Sequence, residues 1–134
     1  MEKFVNLDDL ISFLFDSISS KGISSGQYIT NLVEGRYNNK EKNEFMQKLF
    51  DYGFSNYDAG NVLDVVMPYI KNILEYHIKK EDMNGPTFER NAVSFLVDKE
   101  KRKEIEKQLK KELSGGYDLY LETLAERARY NRNI

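Results

Sequence analysis

The chain has no cysteine, which excludes a disulfide scaffold, a thiolate metal site and a cysteine nucleophile together. It has no tryptophan, two prolines and one histidine, His77, and a single imidazole leaves little room for a zinc centre or a histidine-centred catalytic relay. No apolar run approaches the ~20 residues that a membrane-spanning helix needs. The start, Met1-Glu2-Lys3-Phe4-Val5-Asn6, lacks the long apolar stretch of a secretory signal, and Asp8 and Asp9 follow it. These absences point to a cytoplasmic protein without membrane contact. A large charge of one sign is also missing: 20 basic residues face 22 acidic ones, for a net charge of −2, too near balance to advertise a nucleic-acid glove.

What is present suits one small globule with a heavily charged exterior. The 134 residues are 40% hydrophobic and 31% charged, the size and composition of a single domain that can bury a core without staples. Richness in Lys, Asn, Ile, Phe and Tyr suggests an AT-rich genome, such as that of a low-GC bacterium or its mobile elements.

Hydrophobic spacing is mostly three and four, the helical period. Asn6 is a good N-cap for a first helix, with Asp8 and Asp9 favoured by the dipole in its first turn and Val5 placed to staple onto Leu10. Leu7, Leu10, Ile11, Leu14 and Ile18 form its face, widened by Phe13 and Phe15, and Gly22 terminates it. A short second helix starts at Ser24 or Ser25, carries Tyr28, Ile29, Leu32 and Val33, and stops at Gly35. Asn38 with Glu41 caps a third, whose face is Phe45, Met46, Leu49 and Phe50 and which Gly53 ends.

Ser55 with Asp58 opens the longest segment, running to about Lys80. Val62, Val66, Tyr69, Ile70, Ile73, Leu74, His77 and Ile78 line its stripe, and Pro68 removes the hydrogen bond to Asp64, so a kink or break is expected there. Asn84-Gly85-Pro86 is a turn. Phe88, Ala92, Phe95 and Leu96 then fit a helix. The run 92–97 would also suit a strand, but a lone strand has nothing to pair with. Asp98 caps a helix from Lys99 to Leu113 with only Ile105, Leu109 and Leu113 on its apolar seam. After Ser114-Gly115-Gly116, a last helix carries Tyr117, Tyr120, Leu121, Leu124, Ala125 and Ala128. The expected fold is all-α: a single-domain bundle over 1–134, with six or seven short-to-medium helices around one long central helix kinked near Pro68, and residues 131–134 as a flexible tail.

Chemical motifs are sparse. No Gly-x-Ser-x-Gly elbow surrounds any serine, and no phosphate-binding glycine loop occurs. Asn56-Tyr57-Asp58-Ala59-Gly60-Asn61 resembles the start of a calcium loop but lacks the closing acid, and helix capping explains it better. His77 lies on an apolar stripe, where a hydrogen-bonded core role is expected. An enzyme built on carboxylates such as Glu75 with His77 is the least favoured reading. No catalytic residue, metal ligand or cofactor is assigned, and the chain reads as a non-enzyme.

Lys99, Lys103, Lys107 and Lys111 recur at i,i+4 and would form a basic ridge, although Glu100, Glu104, Glu106 and Glu112 are interleaved. A second nucleic-acid signal is local. Gly22-Ile23-Ser24, followed by Tyr28-Ile29-Thr30-Asn31-Leu32-Val33-Glu34-Gly35-Arg36, resembles the recognition helix of Cro/CI-type helix-turn-helix repressors. The spacing from Gly22 to Tyr28 is one residue longer than in that family. The resemblance implies a DNA-binding regulator in which Gln27, Thr30 and Asn31 face base edges while Arg36 and Lys40 meet phosphates.

The favoured expectation rests instead on nine tyrosines in so short a chain. Each phenolic oxygen wants a partner or water, and Tyr37, Tyr52, Tyr57 and Tyr130 fall at expected helix ends or loops. Tyrosine at a surface favours protein–protein contact. The chain is therefore expected to act by binding another protein or itself, as an adaptor, inhibitor or regulator, with DNA binding as the alternative.

Overall fold

A computed structural model describes residues 7–34, 40–81 and 88–132. Among these the chain is all-α, with α1 (Leu7–Ser19), α2 (Ser25–Glu34), α3 (Lys40–Tyr52), α4 (Asn56–Glu81), α5 (Phe88–Val97), α6 (Lys99–Leu113) and α7 (Asp118–Arg132). A 3₁₀ turn, Gly22–Ser24, precedes α2. The expected Asn6 cap, the Val5 staple, the Gly35 stop, the Asn38 cap and the Asn84-Gly85-Pro86 turn lie outside the described residues.

Local chemistry sets the boundaries that can be seen. Asp98 sits in an extended conformation and its carboxylate accepts from the backbone N–H groups of Glu100 and Lys101, both at 3.0 Å, so it caps α6 as its residue type suggests. Ser55 Oγ accepts from Asp58 N at 3.1 Å at the start of α4. Gly53 follows α3 with φ of 121°, and Gly115 follows α6 with φ of 86°, values that favour glycine at these turns. The first helix ends before Gly22, at Ser19, and Gly22 (φ 59°) instead opens the 3₁₀ turn. There the buried Ser25 hydroxyl lies 3.0 Å from Ile18 O and 2.7 Å from Gly22 O. Its single proton is shared between carbonyls of α1 and the turn, tying α2 to α1.

The helix α4 is central. It packs against α2, α3, α5, α6 and α7 and buries Ala59, Val62, Leu63, Val66, Met67, Ile70, Ile73, Leu74 and Ile78. Leu63 and Met67 widen the stripe expected from periodicity, whereas Tyr69 and His77 are half-buried at its edges. The helix continues through Pro68 without a break. Pro68 and Asp64 are both exposed, so the carbonyl deprived of an N–H partner lies on the solvent side, where water can satisfy it. Residues 92–97 are helical, and Ala92, Phe95 and Leu96 are buried.

Two salt-bridged residues join the first helix to the sixth. Arg102 reaches Asp16 at 2.6 Å, Ser12 O at 3.2 Å and Glu106 at 2.6 Å, while Lys110 meets Asp8 at 2.9 Å. Burial alone would lower the Arg102 pKa, but its hydrogen bonds to Glu106 and Asp16 outweigh that and hold it above its ordinary value. Beneath them Ile105, Leu109 and Leu113 are the buried residues of α6, the seam that the sequence marks. At the far end α7 runs to Arg132. Asn131, expected in a flexible tail, is helical and its Nδ2 donates to Gly53 O at 3.2 Å.

Replacing the α6 cap, Asp98→Ala, leaves two N–H groups without their acceptor and is expected to lower stability by ~1 kcal/mol. Chemical denaturation measures this, and an unchanged midpoint would show that water replaces the carboxylate at no cost.

Candidate protein-binding surface

The junction of α3 and α4 and the second half of α7 meet at one end of the bundle. Arg127 Nε lies 3.4 Å from Oδ2 of Asp58, whose side chain is buried, and Asn131 holds Gly53 O. These contacts bring Tyr52, Tyr57 and Tyr130 to the same end, although 73 residues separate Tyr57 from Tyr130. Tyr57 and Tyr130 are 78% and 69% exposed. Tyr52 differs from expectation. It is half-buried and stands edge-on to Phe13 with ring centroids 5.0 Å apart, so the core does reach it and it forms a wall of this end. Tyr37 lies outside the described residues.

Further large side chains are exposed at the opposite end of α7 and just before it. Its buried face is Leu121, Leu124, Ala125 and Ala128. Tyr117 and Tyr120, which the sequence places with that apolar set, are instead 42% and 39% exposed, and Leu119 is 72% exposed. Tyr117 leans edge-on against the half-buried Tyr69 of α4, with centroids 6.3 Å apart. The sequence signal for this surface was present: Leu119 falls opposite Leu121 on a helix, outside any one buried stripe. Other large exposed side chains, Ile23, Tyr76 and Val97, sit singly on other elements, and isolated residues of this kind are ordinary.

The residues of the helix-turn-helix resemblance are placed differently. Gln27 is exposed and donates from Nε2 to Asn31 Oδ1 at 3.1 Å. Thr30 is 7% exposed and points into the protein, a departure from the expectation that it faces outward with them. Arg36 lies outside the described residues, and Lys40 is exposed at the start of α3. Ser25, Tyr28, Ile29 and Leu32 are buried, so α2 is held in the core on most of its circumference and shows solvent only a narrow strip. That strip borders a polar groove of about 350 Å³ lined by Lys21, Ser24, Gln27, Asn31, Lys40 and Glu44. Lys21 spans it, 2.7 Å from Glu44 and 4.8 Å from the Tyr28 ring centre.

On α6, Lys99, Lys103, Lys107 and Lys111 are all exposed. Among the described residues none of the four takes part in an ion pair. The basic ridge is therefore real in geometry, and the mixed pairing expected to neutralise it is made by Arg102 and Lys110 instead. Glu75 and His77 do not form a pair. Residues two apart point to different sides of a helix; Glu75 lies 3.7 Å from Lys71, and His77 Nε2 is 2.8 Å from Gln108 Oε1. His77 thus has the hydrogen-bonded, half-buried position expected of a structural histidine. Among the described residues no cluster of acids and histidine is arranged to hold a metal ion, and no helix is long and apolar enough to cross a membrane.

No family model, curated protein or solved structure matches this chain.

The Lys21–Glu44 pair gives a pH test. The hydrogen bond from Lys21, followed by its positive charge, lowers the Glu44 pKa from the ordinary glutamate value. A lowered folded-state pKa means the pair's contribution is complete above the unfolded value and disappears as pH falls through the folded one. Titration of the Glu44 carboxyl by NMR should give a midpoint below that of an unstructured glutamate, and Lys21→Met should raise it. A midpoint insensitive to Lys21→Met would mean the two side chains do not meet in solution.

Proposed function

We propose that this chain is a small non-enzymatic cytoplasmic protein that works by binding another protein, as an adaptor, inhibitor or regulator. Its composition is in keeping with an origin in a low-GC bacterium or one of its mobile elements. The observation that carries the reading is the pair of large exposed side chains, Tyr57 and Tyr130, that the Arg127–Asp58 and Asn131–Gly53 contacts hold at one end of the bundle, with Leu119 and Tyr120 also exposed on α7. Tyrosine supplies broad contact area at low cost in side-chain entropy, and its hydroxyl is satisfied by water before binding and by a partner after it. The side chains that stand most exposed are backed by rigid helices, so a partner would meet a preformed surface.

The DNA-binding alternative has less support. A recognition helix has to project its base-reading side chains into the major groove, whereas Thr30 is buried and Gln27 and Asn31 are bonded to each other. The free lysines of α6 are bordered by exposed Glu100, Glu104 and Glu112, which would repel a phosphate backbone.

Affinity capture from host extract tests the proposal. The wild-type chain should retain a stoichiometric protein partner, and the double variant Tyr57→Ala/Tyr130→Ala should bind it about tenfold or more weakly. Both side chains are exposed, so the variant's thermal midpoint should stay close to wild type. Capture of the same partner by both proteins would remove this surface from the mechanism.

A further inference from the structure

The solvent face of α7 has a pattern of its own. Leu119, Thr123, Glu126 and Tyr130 recur at spacings of four, three and four, the period of a coiled-coil seam. All four are exposed, and they lie diametrically opposite the buried Leu121, Leu124, Ala125 and Ala128. The two most apolar positions stand at the two ends of the seam, with the small Thr123 and the acidic Glu126 between them. Glu122 and Arg129 flank it on one side, and Tyr120 and Arg127 on the other.

This face is complementary to itself when two copies run antiparallel. We infer that α7 docks against α7 of a second copy of this chain, about a two-fold axis passing between Leu124 and Ala125. The inference rests on the protein-binding reading and names one partner for that surface. In this register Leu119 meets the partner's Tyr130, and the same contact repeats at the other end. Thr123, whose hydroxyl donates to Leu119 O of its own helix at 2.9 Å, is a small side chain that leaves room for the partner's Glu126. On one flank Glu122 meets the partner's Arg129, and on the other Tyr120 meets the partner's Arg127, a cation over a ring. The other cross-pairs are apolar with aromatic, cation with ring or acid with base, and none sets like charges together. Antiparallel coiled-coil seams pair their positions in this way, and a two-fold axis makes each contact count twice. Arg129 Nη2 lies 3.3 Å from Glu126 of its own helix, and its Nε is buried without a hydrogen-bond partner, so only its outer guanidinium nitrogens can meet the partner's Glu122. A parallel in-register arrangement would lose this match, because seam positions then face their own copies and Glu126 is set against the partner's Glu126.

The helix α6 offers no comparable face. Its exposed positions are charged throughout, and exposed ion pairs alone contribute little to association. The α7 seam is short. Fifteen residues span about 22 Å, less than a standard interface requires, so the dimer is weak, with a dissociation constant on the order of 10–100 µM.

Sedimentation equilibrium of the purified full chain tests this, over concentrations from about 5 to 500 µM to bracket that constant. The wild type should pass from monomer to dimer, and Leu119→Glu, at an exposed position that leaves the core intact, should raise the dissociation constant about tenfold. Charge reversal tests the register. In Glu122→Arg alone, two bases oppose two bases across the axis, and in Arg129→Glu alone, two acids oppose two acids, so each variant by itself should be monomeric. Mixed one to one they should form a heterodimer, because each flank again pairs an acid with a base, one pair in the original sense and the other reversed. A wild type that is monomeric throughout, or a wild-type dimer whose two variants fail to combine, would overturn the inference. Only purified chain is used, so failure removes the second copy as partner and leaves the protein-binding reading to the capture from host extract.

Discussion

Burial of one face of α4 is the constraint on which the rest of the molecule depends. The other helices are ten to fifteen residues long, at or below the length at which an isolated helix is marginal in water. They persist because α4, at 26 residues, provides a surface long enough for five of them to pack on. Nine buried apolar residues along it contribute a hydrophobic gain that short helices cannot generate by themselves. Its proline is tolerated because Pro68 lies on the exposed side, away from that stripe.

The consequences for the surface follow from how deeply each helix sits. The helix α2 packs on both α4 and α5 and buries Ser25, Tyr28, Ile29, Thr30 and Leu32. The outer helices α6 and α7 rest on the body along narrow seams and leave most of their girth in water. They use that exposure differently. On α6 it is lysine and glutamate, with Arg102 and Lys110 spent on acids of α1. On α7 Leu119, Tyr120 and Tyr130 stand exposed among Thr123, Glu126 and Arg127. Two helices of equal length and similar burial thus present a charged ridge and an aromatic face, and only the second has the apolar anchors that protein recognition uses.

Much of the fold was legible in the residues. Asp98, Ser55 and Gly53 mark helix boundaries because capping and left-handed turns are local chemistry. Ile105, Leu109 and Leu113 are the buried seam of α6 because nothing else on that helix is apolar. The candidate surface was legible only in part. Tyr57 and Tyr130 are exposed as their positions at helix ends suggest, but Tyr52 is covered by Phe13, a residue 39 positions away. Tyr117 and Tyr120 fit the apolar period of α7 and yet lie at its exposed margin, because the stripe that α4 and α1 can cover is no wider than Leu121, Leu124, Ala125 and Ala128. Thr30, polar and next to Asn31, reads as a surface residue until α2 is seen to be enclosed.

What the sequence determined by itself is where helices begin and end and which side of each is apolar, since propensity, capping and a 3.6-residue period act over a few neighbouring residues. The tertiary structure alone decided which second face each helix loses and which tyrosines stay in water. That depends on contacts between distant segments, such as Asn131 with Gly53 across 78 residues, and periodicity within one helix carries no information about what comes to rest against it.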